Sequence, residues 1–427
     1  MKVLNITIKY LACSLSFLSL IILTSPANAG GPTEDLFRRH KGNVLQVRIL
    51  DIASNAKAGI GSGFAVSSHG HIITNYHVIS ELVVHPGRYR AEYLLENGQK
   101  GTLQLMDLDV IHDLALLKAE GVAGKFLKLE GKEPVKGEKL FSLGNPFDLG
   151  LIIVEGTFNG FLEKSLYKKI HFTGSINPGM SGGPTLNQKG AVVGINVATA
   201  GNQVSFLVPA MYAIELLARG KKVNEPPEDF SQIVSRQLLD NQDSYMGPLL
   251  REPFSPVSIG GYEMPGELSP FIKCWGDTRK SEGLLYDQVY QTCSTDDDIY
   301  LSGSMSSGSI RFRHELFKTE KLGTSRFYNF LESHFKQPNM HLGGDEESVG
   351  NFQCKSNFVV HNGLNSKVVF CMRGYKKLGG LYDSFMTATT FSRDNEALHT
   401  TLVLSGVSYE NAVRFSRAYM EAIAWKK

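Results

Sequence analysis

The chain is poor in several residue types and patterns. Of its 427 residues only five are cysteine and two tryptophan, and 44 Lys and Arg nearly cancel 42 Asp and Glu to leave a formal charge of +2. Such balance argues against a dedicated nucleic-acid binder, which concentrates a basic excess on one face. Long apolar runs are missing as well. The most apolar stretch, Leu11 to Leu23, has 13 positions, too few for the roughly 20-residue helix that crosses a bilayer. No stable membrane span is therefore expected. Repeats at a solenoid period and low-complexity tracts are absent. With 42% hydrophobic residues there is enough apolar material for packed cores, and the length exceeds the roughly 100–200 residues of one domain.

Residues 1–29 read as a secretory signal: Lys2 and Lys9, the apolar run, then Ala27-Asn28-Ala29 as a small-residue cleavage site. Cleavage after Ala29 would remove 29 of 427 residues, leaving 398 with four cysteines and no net charge. An uncleaved anchor is the competing reading, disfavoured by the shortness of the run. Export, periplasmic or extracellular, implies an oxidising compartment that suits paired cysteines.

From Val44 to Pro209 short alternating runs such as VLQVRIL, HIITNYHVI, DLALLK and AVVGINVATA are separated by Gly, Asn and Pro. This pattern predicts a mainly β sandwich or barrel. A helix over Pro209–Gly220 closes it. A second helix is expected from Phe230 to Asn241, then an extended Pro-rich linker between Gly247 and Pro270. The remainder, 257–427, alternates again and contains helices at Thr324–Phe335 and Tyr409–Ala424, with Ser408 as N-cap, giving an α+β domain. Residues 30–222 carry 21 bases and 17 acids and residues 223–427 carry 21 bases and 25 acids, so the two parts are expected to touch.

The sharpest chemical signal is Asn177-Pro178-Gly179-Met180-Ser181-Gly182-Gly183-Pro184 between two predicted strands. A serine hydroxyl needs a base to become a nucleophile, and flanking glycines let backbone N–H groups converge on an oxyanion. Alone, the segment could be an ordinary β-turn. His77 ends a buried run, where its ring could be held rigidly at a cleft edge, and Asp113 opens the run Asp113 to Lys118, where a carboxylate could orient the imidazole. Taken singly, a core histidine and a turn acid like Asp107 or Asp109 would explain them.

Together TNYHVI, HDLALLK, INPGMSGGP, GIN (194–196) and SFLVP (205–209) resemble the trypsin-like serine endopeptidases, most closely their HtrA/Deg branch, over about residues 33–222. The resemblance implies a double six-stranded β-barrel. It makes Ser181 the nucleophile, His77 the base, Asp113 the orienting acid, and the N–H groups of Gly179 and Ser181 the oxyanion hole. Met180 stands where relatives carry Asn or Asp, which leaves open how the loop is held. The resemblance also puts Ser175, Ile176 and Asn177 on one side of the specificity pocket and Asn196, Val197, Ala198, Thr199 and Val204 around the rest. None is charged, so small or medium aliphatic residues are expected before the scissile bond. The strand Asn196–Thr199 is expected to pair with an extended polypeptide substrate. Phe37 is a possible homo-oligomer contact by the same resemblance.

No PDZ signature follows residue 222. The cysteines are expected to pair sequentially, Cys274–Cys293 and Cys354–Cys371, the second across a hairpin turning at Asn362-Gly363. No C-x2-C spacing suggests a metal, and no cofactor motif is present. Asp296-Asp297-Asp298 reads as a solvated turn, His69-Gly70-His71 as a hairpin tip, and the aromatics from Phe327 to Phe335 as core. The leading expectation is an exported serine endopeptidase. Its rival is a silent protease-fold scaffold whose C-terminal domain binds a partner.

Overall fold

The computed structural model describes residues 31–426 except 123, 202, 280–282, 284, 337–341, 392 and 394; the expected signal sequence, 1–29, lies outside the described residues. Helix α1 (Pro32–His40) leads into β1 (Val44–Asp51), β2 (Lys57–Ala65), β3 (His71–Thr74), α2 (Tyr76–Val84), β4 (Tyr89–Leu94), β5 (Lys100–Asp109) and β6 (Leu114–Ala119). These strands close a barrel in the order β1-β2-β3-β6-β5-β4. A second closed barrel, ordered β10-β11-β12-β9-β8-β7, comprises β7 (Lys139–Gly144), β8 (Ile152–Phe161), β9 (Ile170–Phe172), β10 (Pro184–Leu186), β11 (Val192–Gly201) and β12 (Val204–Pro209). Closure leaves no sheet edge unpaired along most of each barrel. Helix α3 (Ala210–Gly220) follows and buries Ala213 and Leu216 in the core where both barrels meet. Phe37 is half-buried against that same core.

The C-terminal region contains α4 (Ser231–Leu249), β13 (Pro256–Ile259), β14 (Tyr262–Pro265), β15 (Ile272–Arg279), β16 (Asp287–Thr295), β17 (Ile299–Ser302), β18 (Met305–Ser307), β19 (Ile310–Lys318), α5 (Thr324–Phe335), β20 (Gln353–His361), β21 (Leu364–Gly374), β22 (Tyr382–Thr390), β23 (Glu396–Val407), α6 (Tyr409–Glu421) and β24 (Ala424–Trp425). Its main sheet is antiparallel, ordered β15-β16-β19-β23-β22-β21-β20. Cys274 faces Cys293 across β15 and β16, and Cys354 faces Cys371 across β20 and β21; both pairs are disulfide-bonded. Asn362 and Gly363 adopt left-handed φ values of 47° and 74°, as a two-residue hairpin turn requires. The Ser408 hydroxyl caps α6 by accepting from the Asn411 N–H at 3.1 Å.

Several expectations fail. Helix α4 runs on past Asn241, because Tyr245 and Met246 extend its buried face into the C-terminal core. Residues 247–270 are not an open linker: β13 and β14 form a sheet with β24, and Tyr262 and Met264 are fully buried beneath it. The same pairing takes Ala424 out of α6, which stops at Glu421. Asp297, expected in a solvated turn, is buried and accepts from Ser165 Oγ (2.7 Å), the Leu166 N–H (2.8 Å) and Lys169 Nζ (2.6 Å) of the β8–β9 connection.

The two parts do touch, but mainly through apolar surface. Ile299, Leu301, Met305, Val234 and Leu381 share one core with Tyr76, Val83 and Tyr167. Burial tends to raise the Asp297 pKa, yet the charge and hydrogen bonds of Lys169, Ser165 and Leu166 outweigh it and hold the group below its ordinary value. Its stabilisation is therefore present above the ordinary aspartate pKa of about 3.9 and is lost as pH falls through the depressed folded value. Asp297→Asn should cost about 2–3 kcal/mol at pH 7, discounted for the partly exposed ammonium. Denaturant melts should show that difference shrinking below about pH 4.

Candidate active site

In the first barrel β3 and β6 are antiparallel neighbours, with Thr74 opposite Ala115. Residues just after β3 therefore lie beside those just before β6. His77, in the first turn of α2, meets Asp113, which immediately precedes β6. Asp113 Oδ2 lies 2.6 Å from His77 Nδ1, and its Oδ1 accepts from the His77 N–H at 2.8 Å. The Asp113 carbonyl accepts from Asn75 Nδ2 (2.8 Å) and the Tyr76 N–H (3.2 Å), which fixes a non-glycine residue at φ 55°. Such a left-handed conformation is uncommon and persists only where surroundings impose it. The neighbouring acids are engaged elsewhere, Asp107 with Arg219 Nε (2.6 Å) and Asp109 with His112 Nδ1 (2.8 Å).

Burial of the His77 ring works to lower its pKa, but the Asp113 charge and hydrogen bond overcome it, so the net direction is upward. With Nδ1 donating to the carboxylate, Nε2 is left as the acceptor.

Ser181 lies in the turn between β9 and β10 and is anchored from both barrels. From the first, the Ser62 N–H donates to the Ser181 carbonyl (2.7 Å), and Ser62 Oγ donates to the Gly179 carbonyl (2.7 Å). Ser62 Oγ also accepts from the Asn145 N–H (2.9 Å), while its carbonyl accepts from Thr74 Oγ1 (2.7 Å). Ser62 is fully buried, with its backbone and hydroxyl groups all engaged. Gly179 has φ 94° and a Cβ there would sit 2.4 Å from the Asn145 carbonyl; Gly182 has φ 81° and its Cβ would sit 2.2 Å from the Ser62 carbonyl. Both positions therefore demand glycine.

From the second barrel the anchor is Asn196, and here the expectation is corrected. Asn196 is fully buried and lines no open pocket. Its Nδ2 donates to the carbonyls of Leu143 (3.0 Å) and Met180 (3.1 Å), and its Oδ1 accepts from Ser142 Oγ and Thr185 Oγ1, both at 2.7 Å. Its backbone is spent on Gly182 and Gly183. Ile176, also expected to line the pocket, is buried in the second-barrel core with Phe172 and Met180. Met180 is wholly buried there, so an apolar anchor holds the loop at the position where a polar residue was anticipated.

Within residues 179–183 the N–H groups of Met180, Gly182 and Gly183 donate to the carbonyls of Asn177, Asn196 and Met180. Those of Gly179 and Ser181 have no acceptor among the described residues. The Ser181 hydroxyl is turned toward the Val197 carbonyl, 3.5 Å away. Beyond Ile195, β11 pairs only with β12, which leaves one edge of Val197–Thr199 open. Ser175, Ala198, Thr199 and Val204 are exposed and Asn177 and Val197 half-buried. None is charged.

Sequence reading gave no role to Ser62, nor to the loop at Asn145, whose Phe147 N–H braces the Pro178 carbonyl at 2.9 Å. It also missed Glu315, His334 and His399, whose potential ligand atoms lie within 4.8 Å of one another. Glu315 already pairs with His334 Nε2 (3.1 Å) and Arg313 (2.9 Å) and accepts from Gln288 (2.7 Å). Although burial opposes it, His334 and Arg313 hold the Glu315 carboxyl down at about 2. The group is a satisfied ion-pair network in which a cation would have to sit beside a guanidinium.

Comparison with known proteins agrees with the fold. Residues 61–195 match the family described as the trypsin-like peptidase domain. Its relatives narrow the likeness. It is 30% identical over 164 residues to a probable periplasmic serine endoprotease DegP-like from Chlamydia trachomatis, covering 36% of this chain and 32% of that protein. A probable periplasmic serine endoprotease DegP-like from Pseudomonas putida is 34% identical over 191 residues, 42% of this chain and 38% of that one. Protease Do-like 1 of Arabidopsis thaliana is 28% identical over 221 residues, 45% and 49% respectively. The chain thus spans about a third to a half of these relatives. Among solved structures, the serine endoprotease from Yersinia pestis aligns at 25% identity and a TM-score of 0.40, covering 45% of this chain and 67% of that one.

Ser62→Ala should strand the Gly179 carbonyl and the Asn145 N–H, costing about 1–3 kcal/mol in a denaturant melt. Asn196→Ala, which removes a four-bond carboxamide, should cost more than Ser62→Ala in the same assay.

Proposed function

We propose that the chain is an exported serine endopeptidase that cleaves extended or unfolded polypeptide through an acyl-enzyme. The observation that carries this is the His77–Asp113 pair at 2.6 Å, taken with a serine turn in which the N–H groups of Gly179 and Ser181 have no acceptor among the described residues. Ser181 Oγ rotates from Val197 toward His77 Nε2, gives up its proton there and attacks the scissile carbonyl carbon. The resulting oxyanion accepts from the N–H groups of Gly179 and Ser181. Collapse breaks the C–N bond, and the His77 proton leaves with the amine. Water then attacks the acyl carbon with His77 taking its proton, and the C–Oγ bond breaks as Oγ regains one. The buried side chains Met180 and Asn196 support an active loop more than a silent scaffold.

The open edge from Val197 to Thr199 would receive the substrate as an added strand. The uncharged walls would favour small or medium aliphatic residues before the scissile bond, since an unpaired Lys or Arg there would cost several kcal/mol. Residues 1–29 as export signal and a periplasmic or extracellular destination agree with the periplasmic naming of relatives and with two disulfides. No described helix is long and apolar enough to cross a membrane.

A fluorophosphonate probe on the protein lacking residues 1–29 should label wild type and not Ser181→Ala. Absence of Ser181-dependent labelling in folded protein would overturn the proposal. Because the His77 pKa is raised and catalysis needs the neutral ring, kcat/KM should fall with acid at a midpoint above the ordinary imidazole value of about 6.5. Asp113→Asn should lower kcat by roughly 10⁴-fold through loss of the correct tautomer.

A further inference from the structure

The β17–β18 hairpin of the C-terminal region lies against the active site. The Tyr300 ring meets the His77 ring edge-on, with centroids 6.0 Å apart and planes at 73°. Its neighbours fix it there: Ile299 and Leu301 are buried in the core shared with Tyr76, and the Tyr76 hydroxyl donates to the Leu301 carbonyl at 3.1 Å. The preceding Asp297 is clamped onto Ser165, Leu166 and Lys169. Tyr300 is thus delivered to the histidine by a segment held at both ends.

Between this hairpin and the barrels lies a cavity of about 250 Å³, bounded by His77, Ile111, Val197, Phe206, Ile299 and Tyr300. That is below the roughly 300–1,000 Å³ of small-molecule sites and fits one side chain. Its position relative to an incoming strand follows from alternation. In a strand paired with the open edge at Val197, successive side chains point to opposite faces. If the residue bearing the scissile carbonyl points toward Ser175, Asn177 and Val204, the residue before it points toward His77 and Tyr300.

We propose that this cavity is a substrate subsite for a bulky apolar side chain immediately preceding the residue at the scissile bond, with Tyr300 as its specificity-determining wall. The C-terminal region is on this account part of the substrate cleft. The proposal rests on the endopeptidase reading above. The cavity's exposed wall area is mainly apolar, although His112, Asp113, Lys168, Lys169 and Asp298 also line it; Asp113 pairs with His77, Lys169 with Asp297 and Asp298 with Arg311.

The test measures kcat/KM on the protein lacking residues 1–29, with peptides identical except for Gly, Ala, Leu, Phe, Lys or Asp at that one position. Leu and Phe should exceed Gly by roughly 10- to 100-fold, the worth of burying such a side chain. Tyr300→Ala should reduce that preference at least fivefold, Tyr300→Phe should keep it, and Tyr300→Trp, which fills the space, should shift it toward Gly and Ala. An active enzyme whose preference is flat, or unchanged in both Tyr300→Ala and Tyr300→Trp, overturns the subsite. Loss of Ser181-dependent labelling in wild type would instead overturn the endopeptidase reading. If Tyr300→Ala does not fold, Tyr300→Trp decides: a shift toward Gly and Ala supports the subsite, and an unchanged preference overturns it.

Discussion

The hydrogen bond from the Ser62 amide to the Ser181 carbonyl, 2.7 Å long, joins the barrel that carries His77 and Asp113 to the barrel that carries Ser181. A histidine held by one closed sheet and a serine held by another keep a fixed relation only if the sheets are fixed to each other. Ser62 does this with its amide and its hydroxyl together, reaching Ser181 and Gly179 on one side and Asn145 on the other. Because the residue is fully buried, no water competes for these bonds, and each stranded group would carry its desolvation penalty.

On the opposite side of the same turn Asn196 and Met180 complete the support by different means. One uses four side-chain hydrogen bonds, the other only apolar burial among Phe172, Ile176 and Leu207. Met180 explains how a loop can dispense with a polar residue at this position. The side chain need not reach a charged partner if the second-barrel core can bury it, and the backbone N–H groups of Gly179 and Ser181 remain free.

Much of this was legible in the sequence, for reasons that differ by element. The alternating runs read as a β sandwich or barrel. The double barrel and the grouping of His77, Asp113 and Ser181 came only from the resemblance of TNYHVI, HDLALLK and INPGMSGGP to the trypsin-like endopeptidases, since singly His77 and Asp113 read as a core histidine and a turn acid. Cys354 and Cys371 were readable because Asn362-Gly363 fixes a hairpin register locally. The misjudged residues depend on distant chain. Asn196 was placed in the pocket by the family resemblance alone, but its carboxamide points inward to Ser142, 54 positions away. The strands β13 and β14 hide in a proline-rich stretch whose partner is the end of the chain. Tyr300 gave no signal at all, since its meeting with His77 requires a hairpin more than 200 residues downstream to dock.

Two barrels hold one serine turn between them, through Ser62 from the first and Asn196 from the second. A crystal structure of the protein lacking residues 1–29, bound to a peptide boronate with an aliphatic terminal residue, tests it most directly. The expected result is a covalent bond from Ser181 Oγ to boron, with one boronate oxygen within hydrogen-bond distance of the Gly179 and Ser181 amides. His77 should stay on Asp113, and the Ser62–Ser181 bond should stay intact. An unmodified Ser181, or a turn rearranged so that either amide points away from the adduct, would contradict it.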